Sequence, residues 1–168
     1  MVSFLTCWIL AGAAHATVPE PEVRVDAEGR VVATVTLNAQ PESVRAILAD
    51  TAGALKDLSP NTLSVEVTGE GACELVQRHT RGILQPLVFQ SRRCPTDEGW
   101  EESLIQSEDF EHYEAMWAVR TTDSGTEVTY RIGTVLTAPV PQVLVRRNLK
   151  QAAGTILQRL VARLSLTP

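Results

Sequence analysis

The longest unbroken pattern of apolar and polar positions lies in residues 138–164. Pro139 and Pro141 carry no amide hydrogen and so end any strand before them. Beyond them apolar side chains recur at Val145, Leu149, Ala152, Ala153, Ile156, Leu157, Leu160, Val161 and Leu164. Steps of three and four place these on one broad face, and Arg146, Arg147, Lys150, Gln151, Gln158, Arg159 and Arg163 fill the other. The run predicts a helix of roughly twenty residues, about 30 Å long. Such a face needs a large surface to cover it.

That surface is predicted upstream, where the period shortens to two. Residues 23–25 and 31–37 look like strands around a turn at Ala27, Glu28 and Gly29, with Val31, Ala33, Val35 and Leu37 on one side, and are counted as one. Pro41 and Glu42 suit the first turn of a helix, which continues through Val44, Ile47 and Leu48 to about Asp50. A second short helix is expected over residues 52–58, closed by Ser59, Pro60 and Asn61. From Leu63 onward strands and turns alternate. Residues 73–80 and 86–94 form the arms of a hairpin whose register sets Cys73 opposite Cys94 and Glu74 opposite Arg93, a favourable charge pair. Residues 112–121 and 126–136 flank Asp123, Ser124 and Gly125. Pairing Trp117 with Tyr130, Val119 with Val128 and Ala115 with Ile132 keeps one face apolar, so that register is expected. The count is a strand, two short helices, six further strands and the long helix.

Size and composition fit one domain with a real core: 168 residues, 44% hydrophobic. Charge is uneven. Five of the 15 Lys and Arg follow residue 138 and none of the 20 Asp and Glu does, so the body is strongly acidic and the last segment basic. An acidic body argues against nucleic-acid binding. The basic helix face, through Arg146, Arg147 and Lys150, is suited either to an anionic membrane surface or to pairing with the body's own carboxylates. Residues 1–16 read as an export signal: residues 4–14 are apolar, Ala14, His15 and Ala16 form a small-x-small cleavage pattern, and residues 17–22 make a polar leader. The apolar run is shorter than the about 20 residues that a spanning helix needs. Export to a periplasmic or extracellular compartment is therefore expected, with a misassigned start codon as the competing explanation. Loss of Cys7 with the signal would leave Cys73 and Cys94, either as a disulfide or as two buried thiols.

Order and local motifs together resemble the START-like, or helix-grip, superfamily in its polyketide cyclase/dehydrase and lipid-transport branch. The residues that carry the resemblance are Ala39-Gln40-Pro41-Glu42-Ser43-Val44 with Ile47-Leu48-Ala49-Asp50, then Asp109-Phe110 with Tyr113 and Trp117, then Gly125-Thr126-Glu127-Val128-Thr129-Tyr130, and finally Pro139-Val140-Pro141 before Leu144-Val145-Arg146-Arg147-Asn148-Leu149. Where such chains often carry an aromatic after the first-helix aspartate, this one has Thr51-Ala52-Gly53. The resemblance implies an α+β fold over residues 23–168, a curved seven-stranded antiparallel sheet wrapped around the carboxy-terminal helix. It also implies a cavity between them for a lipid, quinone, polyketide or other apolar molecule, which a minority of relatives cyclise or dehydrate.

On that architecture the expected ligand contacts are Trp117, Tyr130, Leu149, Ala153, Ile156, Leu160 and His79. His79 shares strand parity with Leu75 and Gln77 and is either a polar anchor or base in the cavity or an ordinary surface histidine. His112 lies among Glu108, Asp109, Glu111 and Glu114, on a solvated rim. Acid–base chemistry, if any, would fall to His79, Arg81 or Tyr130. Close metal-ligand spacing, a nucleophile elbow and a dinucleotide fingerprint are all absent from the sequence, so no metal or cofactor is expected. The function expected is non-enzymatic binding or transport of a hydrophobic small molecule by a monomer, with a cyclase- or dehydratase-like enzyme as the alternative.

Overall fold

The structure, a computed structural model, describes residues 18–166. The expected export signal, with Cys7, lies outside the described residues. The elements are β1 (Glu22–Val25), β2 (Val31–Leu37), α1 (Pro41–Ala49), α2 (Thr51–Leu58), β3 (Thr62–Glu70), β4 (Cys73–Arg81), β5 (Pro86–Pro95), β6 (Gly99–Ser107), β7 (Phe110–Thr122), β8 (Gly125–Leu136) and α3 (Gln142–Ser165). All strands belong to one antiparallel sheet in the order β1-β2-β8-β7-β6-β5-β4-β3. The architecture is the helix-grip expected, with one correction to the count: the described residues form eight strands, because residues 22–25 pair with β2 as a separate edge strand across the turn that ends at Gly29.

The hairpin registers follow the apolar alternation. Trp117 pairs with Tyr130, Val119 with Val128 and Ala115 with Ile132, while Glu74 pairs with Arg93. Gly125 turns the β7–β8 hairpin at φ 132°, in a region only glycine enters without strain. Register shifts in the β3–β4, β5–β6 and β7–β8 pairs fall at Thr62/Ser64, Gln90/Ser91 and Phe110/His112. Each inserts an unpaired residue and adds bend and twist, which helps to curl the sheet into a palm.

Helix α3 lies in that palm. From Ala153 onward it buries Ala153, Leu157, Leu160 and Val161 against the sheet and α2, and Leu157 and Leu160 are wholly shielded from solvent. Arg163 pins this end to α2 through Asp57, 2.7 Å away. Helices α1 and α2 close the same end of the sheet. Pro41 starts α1, and Asp50, between the two, caps α2 by accepting from the Gly53 amide at 3.1 Å. A Cβ on Gly53 would stand 2.1 Å from the Asp50 carboxylate, so the glycine leaves room for the cap.

Candidate functional site, a cavity with an apolar mouth and a polar floor

A cavity remains between the sheet and part of the face that α3 turns toward it. It offers ≈ 130 Å³ to the centres of water-sized molecules, roughly ten times what one water needs. Val145, Leu149, Ala152 and Ile156 of α3 line one side, and Leu87, Phe89, Phe110, Tyr113, Tyr130, Ile132 and Leu136 of the sheet line the other. The β4–β5 connection, residues 82–85, lies at the mouth with Gly82 and Ile83. A smaller inner chamber of ≈ 40 Å³ reaches toward α1 and α2 and shares Ser59, Arg78, Tyr130 and Ile156 with the main cavity.

The floor between the two chambers is polar, and strand pairing explains how. On the concave face Arg78 of β4 lies directly opposite Phe89 of β5, and Arg93 lies directly opposite Glu102 of β6. Arg78 reaches over β5 to pair with Glu102, and Ser91 also donates to the Glu102 carboxylate. Arg78 and Glu102 are 6% and 8% exposed, so the pair is sealed from water. The Arg78 guanidinium packs on the rings of Phe89 and Tyr113, 5.3 and 5.5 Å from their centroids, a favourable cation–π arrangement. Its Nε and the Tyr113 hydroxyl are buried without hydrogen-bond partners. Two donor groups are therefore held beside the cavity with no acceptor supplied by the described residues.

A second buried cation secures the inner wall. Arg93 donates to the Leu48 carbonyl at 2.8 Å, lies 3.3 Å from Glu74, contacts the Thr51 hydroxyl and stacks on Trp100. It ties the junction of α1 and α2 to the sheet. Burial lowers the Arg93 pKa, partly opposed by Glu74. Beside this group a bond between Cys73 and Cys94 joins β4 and β5, with Cα atoms 4.3 Å apart. Burial also raises the pKa of the Tyr113 and Tyr130 phenols, which Arg78 only partly offsets, so both stay protonated donors in the neutral range.

The structure sorts the expected site residues. Tyr130, Leu149 and Ile156 border the main cavity, Trp117 borders the inner chamber, and Trp117 stacks on Tyr130 with centroids 4.5 Å apart. Ala153 and Leu160 are corrected to the packed interior, where they line neither chamber. His79 is corrected to the outer, solvent-exposed face: Val76, Arg78 and Thr80, not Leu75, Gln77 and His79, point inward from β4. Arg81 lies at the rim. His112 is exposed, 3.7 Å from Glu114. No group of metal-binding side chains occurs among the described residues. Arg78, Glu102, Ser91, Arg93 and Tyr113 were not anticipated as a buried group. The only signal available was the register that set Glu74 against Arg93, because an arginine inside a strand otherwise reads as solvated.

Comparison with known proteins agrees with the fold. The sequence profile of the family described as polyketide cyclase / dehydrase and lipid transport matches residues 28–165. Among solved structures, a START superfamily protein from Mycobacterium smegmatis superposes with a TM-score of 0.71 at 16% identity, over 83% of this chain and 99% of that one. The ZhuI aromatase/cyclase from Streptomyces sp. R1128 gives 0.57 at 24% identity, over 86% and 88% of the two chains. A STAR-related lipid transfer protein from Xanthomonas axonopodis gives 0.60 at 16% identity, over 86% and 98%. Comparison with curated proteins gives no match.

Proposed function

The chain belongs to the polyketide cyclase/dehydrase and lipid transport family, and from that premise we propose that it is a non-enzymatic carrier of an apolar molecule bearing one oxygen-containing polar end. The apolar body would lie along Leu149 and Ile156, and a carbonyl, carboxylate or phenolic oxygen would accept from Arg78 and Tyr113. The observation that carries this reading is the character of the floor: its unpartnered groups are Arg78 Nε, which can only donate, and the Tyr113 hydroxyl, which stays protonated and can donate. Apolar burial at about 25 cal/mol per Å² drives binding, and a few fixed polar groups orient the ligand. Carriage needs no group that changes protonation near neutral pH, and both histidines among the described residues lie outside the cavity.

Native mass spectrometry of the purified protein, with titration of fatty acids, quinones and their oxygen-free hydrocarbon counterparts, tests the reading. Oxygenated ligands should bind more tightly, and Tyr113→Phe should reduce that preference by roughly fivefold, the worth of one net hydrogen bond. A protein that purifies empty and ignores the whole panel would sink it.

A second reading, a cyclase- or dehydratase-like enzyme, is favoured by the Arg78–Glu102 pair beside the cavity and by the resemblance in fold to an aromatase/cyclase. There Arg78 would polarise a carbonyl and Tyr130 would supply a proton. Turnover of a polyketide-like substrate that survives Tyr130→Phe would remove Tyr130 from that role, and no turnover of any such substrate would remove the reading.

A further inference from the structure

The sheet is open, and its two edges are not alike. β1 has four residues, Pro19 and Pro21 stand just before it, and α3 packs beside it. Short length and proline are common guards of a sheet edge. The opposite edge, β3, runs for nine residues without proline, lysine or arginine. Leu63, the extra residue of its bulge between Thr62 and Ser64, is 52% exposed. Among the described residues the only strand that pairs with β3 is β4.

The hairpin decides which backbone groups of β3 are left over. Glu70 faces Cys73 across Gly71 and Ala72, with Gly71 at φ 64°. In a two-residue hairpin the flanking pair exchanges both of its hydrogen bonds, and every second pair after it does the same. Those pairs are Thr68 with Leu75, Glu66 with Gln77 and Ser64 with His79. Val65, Val67 and Gly69 therefore turn their amides and carbonyls away from the sheet, and no backbone group of another described element meets them.

A second copy of the same edge supplies what these groups lack, and the side chains choose the register. A two-fold axis at Val65 sets Val65 against Val65, Leu63 against Val67 and Ser64 against Glu66. Free backbone groups then face free backbone groups, and apolar side chains face apolar ones. The two Glu66 carboxylates fall on a diagonal, in solvent. An axis at Glu66 sets those carboxylates directly opposite each other, which is unfavourable. An axis at Val67 sets Val65 against Gly69 and Leu63 against Gly71, where no side chain answers. Such matching of a strand to itself is what an isologous contact requires, and a partner of another kind would not call for it.

In place of the monomer expected from the sequence, we propose that two copies pair antiparallel through β3, about Val65, and join their sheets into one. The contact is small beside the roughly 800 Å² per partner of a standard interface, so the dimer is weak and forms as concentration rises. It uses the sheet edge and holds whatever the cavity contains.

Sedimentation velocity of the full chain over a range of concentrations is the test, with a monomer–dimer equilibrium as the expected result. Ser64→Lys places an ammonium opposite Glu66 twice in each dimer and should tighten it roughly fivefold, and Ser64→Glu should weaken it by a similar factor. Thr68→Lys should change nothing, because Thr68 then faces Thr62. Both positions are exposed, so all three variants should keep the wild-type melting temperature at concentrations where the chain is monomeric. A chain that stays monomeric at every concentration would overturn the proposal. So would a dimer that answers to Thr68→Lys as strongly as to Ser64→Lys, or one that neither serine variant shifts.

Discussion

The two halves of α3 share one period and one apolar face, yet they meet different surroundings. The carboxy-terminal half is packed: Leu157 and Leu160 are fully buried and Arg163 fastens the end to α2. The amino-terminal half borders the cavity with Leu149 and Ala152, and its cations have no ion-pair partners among the described residues. Hydrophobic periodicity alone reports that a face is covered, without distinguishing a neighbour's side chains from a void. The difference arises at the sheet. On the packed side β2 supplies a dense row from Val31, Ala33 and Val35, whereas on the hollow side β4 and β5 supply Arg78, Thr80 and Leu87.

The largest expected effect lies at the boundary between these regions. Arg78→Ala leaves the buried Glu102 without its cation, and breaking such a pair costs about 3–5 kcal/mol. Denaturant unfolding should show that loss, and Arg78→Met combined with Glu102→Met should recover most of it. If the single variant is neutral, the floor is solvated and the contrast between the two regions fails.

Next comes the Cys73–Cys94 bond. It closes a loop with a sequence separation of 21, and a loop of that length corresponds to about 3 kcal/mol in the chain-entropy account. Cys94→Ser should lower the unfolding free energy by that order under oxidising conditions and change little under reducing ones.

A paired truncation sharpens the contrast directly. Leu160→Ala should cost about 3 kcal/mol, since it opens a cavity in a rigid interior, and Leu149→Ala about 1 kcal/mol, since its side chain already borders space. Equal losses at the two positions would mean that the helix is packed alike along its length.

The last effect appears only in alkali. Burial raises the phenols of Tyr113 and Tyr130 above their ordinary value of 10.0. Below that value both states are protonated and stability is complete. As pH rises through it the unfolded chain ionises first, so stability falls by up to about 1.4 kcal/mol per pH unit for each phenol. Unfolding midpoints measured between pH 9 and 11 should show the decline, less steeply in Tyr113→Phe.

What the sequence displayed, and what it hid, follows the same division. The α3 face, the β7–β8 register and the pairing of Glu74 with Arg93 were legible because each rests on a run long enough for one phase to win. Residues 23–25 were read as extended before the turn at Gly29 but left out of the strand count, because so short a stretch shows no alternation of its own. The inward face of β4 was left undecided for a sharper reason. Leu75, Gln77 and His79 compete with Val76, Arg78 and Thr80, and each set mixes apolar with polar side chains. Hydrophobicity then favours neither phase, and the cation is buried because Phe89 on the next strand, and Glu102 and Tyr113 farther along the chain, await it.

The pairing of Val31 with Ile132, and the seating of α3 on β2, have a consequence for biosynthesis. The strand that leaves the ribosome near the beginning finds its lateral neighbour only after some hundred further residues have emerged, and the helix that fills the palm follows later still. Contacts so distant along the chain form slowly. Until then the nascent polypeptide exposes a half-built, oily concavity, which makes it a natural client for holdase chaperones during translation.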